Sequence, residues 1–207
     1  MDRILQILSR IVSAITYPLF MPTYAILLSF KATVLNYLPG NPVIPITIVT
    51  FGITVAIPVI AIYLLNLFKV IGDPLLNERR DRTYPFLVTI ASYAGLGFYL
   101  SHLHAPVWLS AFSFGAAALL LIMAIINLKW KISGHAAGMG GLTALSVYLV
   151  YKGYCLMPGT LLPSLIVTAS GIVCTARLLL RRHTLAQVAA GYFLAIAVLY
   201  AILTVAV

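Results

Sequence analysis

Long apolar runs, broken by short polar segments, make up most of the chain. Read along it, the stretches 11–30, 43–68, 86–103, 107–128, 136–151, 161–180 and 185–207 are each predominantly apolar. A membrane-spanning helix needs about 20 such residues. The runs are continuous rather than alternating, which argues against a β-barrel. The first carries Pro18 and Pro22, so a kink is predicted there. The second is long enough to tilt. Pro39-Gly40-Asn41-Pro42 marks the turn between them. The pattern therefore predicts an all-α fold, a polytopic bundle of six to seven transmembrane helices in one domain over 1–207. The chain starts Met1-Asp2-Arg3 and shows no small-residue cleavage site, so the first run is read as a retained span rather than a signal peptide.

The polar breaks are more informative than the runs. The segment 69–85, KVIGDPLLNERRDRTYP, holds Arg79, Arg80 and Arg82 and every acidic residue except Asp2. Lys129 to His135 form a second cluster. The third is Ala176, Arg177, then Arg181, Arg182, His183 and Gln187. Two spans separate the first cluster from the second, and two separate the second from the third, so parity puts all three on one membrane face. If 183–187 is helical, His183 and Gln187 share a side. Gly138, Gly140 and Gly141 predict close approach of a neighbouring helix. His102 and His104 sit in a short turn with no third ligand nearby, which favours an interfacial role over a metal.

Composition narrows the class. The chain is 62% hydrophobic and 8% charged, against roughly half and a quarter for a soluble domain. An integral membrane protein follows. The net charge is +9, from 13 basic and 4 acidic residues. With the basic residues confined to inter-helix segments, anionic lipid headgroups or a phosphate ligand are better partners than nucleic acid. The positive-inside rule would put the site on the cytoplasmic side, but a phosphate site is basic on either face. Cys155 and Cys174 form neither a metal spacing nor a disulfide framework.

Three Arg and a His between two apolar runs are expensive in a membrane protein, and binding an anion is a physical reason for them. Arg side chains and the N–H groups at a helix start, here after Ser133-Gly134, form a cradle for phosphate oxygens. Two His beside a phosphate suit a nucleophile and a general acid. The chemistry these residue types imply is metal-free phosphoryl transfer through a phosphohistidine, with no cofactor. The alternative for 69–85 is a solvated loop with internal carboxylate–Arg pairs. Arg181 and Arg182 suit juxtamembrane anchors better than ligands, and Lys131 suits either phosphate contact or anchoring.

These clusters resemble the motifs of the type 2 phosphatidic acid phosphatase (PAP2) superfamily, which shares its site with vanadium haloperoxidases. The family's motifs are K-x6-R-P, P-S-G-H and S-R-x5-H-x3-D. Here the second reads Ile132-Ser133-Gly134-His135, and the third reads Ala176-Arg177, five residues, His183, three residues, Gln187. The resemblance spans 79–187. It implies a PAP2/haloperoxidase-like core with His183 as nucleophile and His135 as general acid. Arg177 would hold phosphate oxygens, and Ser133 with the Gly134 N–H would complete the cradle. Ile132, Ala176 and Gln187 stand where the family has Pro, Ser and Asp. If Pro85 is the first motif's proline, Tyr84 and Asn77 replace its Arg and Lys, and Arg79, Arg80 and Arg82 supply charge from nearby. Gln187 can accept the hydrogen bond that the family's Asp accepts but brings no negative charge, so His183 should be less basic.

The expected function is that of a membrane lipid phosphatase acting on phosphatidate, phosphatidylglycerophosphate or a polyprenyl pyrophosphate. The lipid tail would enter laterally between helices, and the expected location is a bacterial inner (plasma) membrane. A non-catalytic protein that binds or moves lipid phosphates is the alternative. A small-molecule transporter is weaker, since no span carries a deeply buried charge.

Overall fold

The computed structural model describes residues 3–72 and 83–206. Among them are nine α-helices: α1 (Arg3–Ile15), α2 (Met21–Ala32), α3 (Val43–Phe51), α4 (Ile57–Leu67), α5 (Thr83–His102), α6 (Val107–Asn127), α7 (Gly134–Tyr151), α8 (Leu161–Leu179) and α9 (Leu185–Val205). Five stretches are long and apolar enough to cross a membrane: Arg3–Ala32, Val43–Leu67, Val107–Asn127, Leu161–Leu179 and Leu185–Val205. The architecture is an all-α bundle of membrane-spanning character. Large apolar side chains such as Ile48, Ile60, Ile125 and Phe193 face outward. Buried hydroxyls turn inward and mostly bond their own helix: Ser29, Thr54 and Thr143 donate to the carbonyls of Ala25, Thr50 and Met139 at 2.7, 2.9 and 3.0 Å. In lipid, no water is at hand to satisfy them otherwise.

The predicted kink in the first run is a full break. α1 stops at Ile15, a short 3-10 turn covers Pro18–Phe20, and α2 follows. Pro18 removes a donor and pushes Tyr17 out of the helical region, to φ −60°, ψ 135°. The helix also begins earlier than predicted, at Arg3. The second run is continuous but passes through a π turn, Gly52–Ala56, where the Ile57 N–H reaches back to the Gly52 carbonyl. Pro58, with no N–H to give, lies just beyond it.

α7 lies at the centre, with most of its residues from His135 to Leu149 buried. It packs on α9, α8 and α2, while α5 pairs with α6 and α1 lies on α8. Its small residues make this possible. A Cβ at Gly140 would strike the Tyr192 carbonyl of α9. A Cβ at Gly191 would lie 2.6 Å from the Ser133 carbonyl, so α9 crosses directly over the start of α7. Thr143 of α7 and Tyr192 of α9 join through their hydroxyls at 3.1 Å.

At the end of the bundle away from Ser133, the Leu156 N–H bonds the Ala32 carbonyl at 2.7 Å, and Trp108 stacks on Tyr154 at 6.2 Å. The His102–His104 turn is explained by backbone geometry. His104 has φ 52°, and the N–H groups of His104 and Ala105 return to the carbonyls of Ser101 and Leu100 at 3.0 and 3.1 Å. This is the left-handed helix ending that usually takes glycine.

Arg181 makes the same ending for α8, at φ 52°. The Arg181 and Arg182 N–H groups bond the carbonyls of Leu178 and Arg177 at 2.9 and 3.2 Å. A non-glycine residue there costs about 1 kcal/mol. Arg181→Gly is therefore expected to stabilise the protein by about that amount. An unchanged or lowered unfolding midpoint in detergent would contradict it.

Candidate active site

The site is built where two chain reversals and the break between α1 and α2 meet. The first is the ending of α8, which turns the chain back on itself and then starts α9. Thr184 is the N-cap of α9, its hydroxyl accepting the Gln187 N–H at 3.4 Å. The Gln187 side-chain oxygen accepts the Thr184 N–H in return, at 3.2 Å. The pair is a capping box, with Gln at the third helical position. His183 is thus the residue before the cap and not part of the helix. It meets Gln187 through the cap rather than along a helical side.

The same Gln187 oxygen lies 3.1 Å from His183 Nδ1. The Thr184 N–H can only donate, so the amide atom facing it is the oxygen. An oxygen only accepts, so His183 Nδ1 carries its proton. Nε2 is then the ring nitrogen with the in-plane lone pair. His183 is 9% exposed.

The second reversal runs from α6 into α7. Ser133 is fully buried and caps α7, its hydroxyl accepting the Ala136 N–H at 3.4 Å. Its own N–H donates to the Gln187 backbone carbonyl at 3.3 Å, tying the starts of α7 and α9 together. Gly134 and His135 are the first two residues of α7, where N–H groups have no intrahelical acceptor. His135 Nε2 lies 3.0 Å from the Ser13 carbonyl, and its ring meets Tyr17 edge-on at 5.8 Å. Both partners lie at the break between α1 and α2.

A cavity of about 210 Å³ opens among these segments. Lys131, Gly134, His135, Arg177, Arg182 and His183 line its polar end, with Tyr17 beside them. The remaining wall is mostly apolar, formed by Met21, Phe86, Phe112, Leu119, Met123 and Leu199 among others. Arg177 is half-buried on the last turn of α8.

Of the residues singled out in the sequence, His183, His135, Arg177, Lys131 and Gly134 share this cavity. Gln187 stands behind His183, and Ser133 serves as cap and strut rather than lining the wall. Arg79, Arg80 and Arg82 lie outside the described residues, as do Asn77 and all four acidic residues. Pro85, the candidate first-motif proline, lines the cavity near the start of α5.

Three contributors were not anticipated. Arg182, read as favouring a membrane anchor, lines the cavity. Tyr17 and the Ser13 carbonyl come from the N-terminal break. Only Pro18 signalled that break, and a backbone carbonyl leaves no trace in residue identity. Among the described residues, no group of three His, Cys, Asp or Glu side chains could hold a metal ion, and Cys155 and Cys174 are both unpaired thiols. In comparisons with models of protein families, with curated proteins and with solved structures, the chain matches none.

Proposed function

We propose that the protein is a membrane lipid phosphate phosphatase of the PAP2 type, working through a phosphohistidine. The observation that carries this reading is the oriented His183 ring, facing a cavity shared with His135 and Arg177 and otherwise mostly apolar. An oriented nucleophile, a second His and a phosphate-binding Arg at the head of an apolar slot suit a phosphate on a lipid tail. Phosphatidate, phosphatidylglycerophosphate and polyprenyl pyrophosphate are the substrate classes with that form. α5, with 20 residues, and α7, with 18, are about 30 and 27 Å long and complete a seven-span core. α7 needs little hydropathy of its own because other helices surround it.

In the proposed reaction His183 Nε2 attacks phosphorus and forms the P–N bond as the P–O bond to the leaving group breaks. His135 gives a proton to the departing oxygen. The Gln187 oxygen holds the Nδ1–H of His183 throughout, while Arg177 and the Gly134 N–H take phosphate oxygens. His135 then removes a proton from water, which attacks phosphorus and breaks the P–N bond. Inorganic phosphate leaves and His183 is restored.

The test is phosphate release by the purified protein over a panel of lipid phosphates, with a search for acid-labile, alkali-stable ³²P on the chain. Release from at least one lipid together with trapped label is expected. Saturable binding without release or label would replace this reading with the second one, a protein that binds or moves lipid phosphates. The absence of a carboxylate at Gln187 is what favours that second reading.

A further inference from the structure

We infer that the break between α1 and α2 is a positioning device for His135: the Ser13 carbonyl, released by the break, holds the His135 Nε2–H and assigns the transferable proton to Nδ1. The inference rests on the proposed role of His135 as general acid.

In a continuous helix the Ser13 carbonyl would accept the Tyr17 N–H, four residues on. Pro18 bars Tyr17 from the helical region. The Tyr17 N–H turns instead to the Ala14 carbonyl, at 3.4 Å. The Ser13 carbonyl is left pointing out of the helix end, and His135 takes it at 3.0 Å. A carbonyl only accepts, so Nε2 is the donor.

The break is held from several sides. Tyr24 of α2 donates its hydroxyl to the Ile15 carbonyl at 2.7 Å, and Tyr93 of α5 donates to the Pro18 carbonyl at 3.1 Å. The carbonyls of Ser13, Ile15 and Pro18 are thus taken by side chains from three different helices. The Tyr17 ring then packs edge-on against the imidazole at 88°. A buried His satisfied by any carbonyl would show the bond alone. Here the ring lines the cavity, the carbonyl is released from its helix by a proline, and the carbonyls of Ile15 and Pro18 are held by side chains as well.

Two measurements test this. In ¹⁵N-histidine-labelled protein above neutral pH, with His135→Gln used for assignment, His135 should appear as the Nε2–H tautomer. An Nδ1–H tautomer in the unaltered protein overturns the inference, whatever the protein's activity. Pro18→Ala lets the Tyr17 N–H reach the Ser13 carbonyl and should release the imidazole. Hydrolysis of an alkyl phosphate, whose leaving oxygen needs a proton, should then fall about 10²-fold in kcat, with KM moving far less. An aryl phosphate leaves without that proton and should lose only a few-fold. Equal losses on both substrates would mark the break as merely structural and overturn the inference. If the unaltered protein releases phosphate from neither class, the phosphatase reading fails. The tautomer measurement then decides the inference alone, with loss of the pure Nε2–H form in Pro18→Ala supporting it.

Discussion

His183→Ala should abolish phosphate release, by a factor on the order of 10³ to 10⁶ in kcat, the scale on which removal of a nucleophile is felt. The substitution removes Nε2, the atom that would form the bond to phosphorus, and leaves the surrounding architecture intact. The capping box of α9 is made by Thr184 and Gln187, so the helix keeps its start. One hydrogen bond to Gln187 is lost, worth about 1 kcal/mol. Arg177, Arg182 and Lys131 still line the cavity, so lipid phosphate should bind with little change. The variant should therefore bind, fold and fail to turn over, with no ³²P trapped on the chain. Turnover equal to that of the unaltered protein would remove His183 from the mechanism.

Gln187 gives the second large effect, and it runs in two directions. Its side-chain oxygen accepts both the His183 Nδ1–H and the Thr184 N–H. Gln187→Leu removes that oxygen and with it both hydrogen bonds. The helix start should lose about 1 kcal/mol, and the ring loses what fixes its tautomer. In a serine protease triad, a change that misassigns the histidine tautomer costs about 10⁴ in kcat, and a loss approaching that scale is expected here. Gln187→Glu keeps the length of the side chain and both bonds while adding the negative charge that stabilises an imidazolium. A carboxylate in the first turn also suits the helix dipole. Its kcat should rise above that of the unaltered protein. Gln187→Asp also supplies a carboxylate but is one methylene shorter, so it should gain less than Glu. Measuring kcat for all three decides the matter: a Glu variant slower than Leu would show that Gln187 does not act through His183.

Much of the bundle was legible from the chain. The seven apolar runs contain or overlap every helix found among the described residues, because in a membrane a long apolar segment has little choice but helix. The exceptions are informative. Pro18 breaks the first run outright instead of kinking it, since α1 and α2 each find separate partners, α8 for one and α3 with α7 for the other. The residues of the candidate site were picked out by their cost, since charges and His between apolar runs need a purpose.

What they do to one another was less visible. Four-residue spacing suggested that His183 and Gln187 share a helical side. The left-handed turn at Arg181 instead puts His183 before the helix, and the two meet through a capping box. Ser133 read as a phosphate contact, whereas the approach of α9 at Gly191 makes it a buried strut.

By itself the sequence determined a helical membrane bundle and a basic, His-containing chemistry, because hydropathy and charge are properties of residues. Only the tertiary structure decided which ring nitrogen of His135 and of His183 is held. That depends on backbone carbonyls and caps supplied by helices distant in the chain, and the group facing His135 is a carbonyl that every residue type carries.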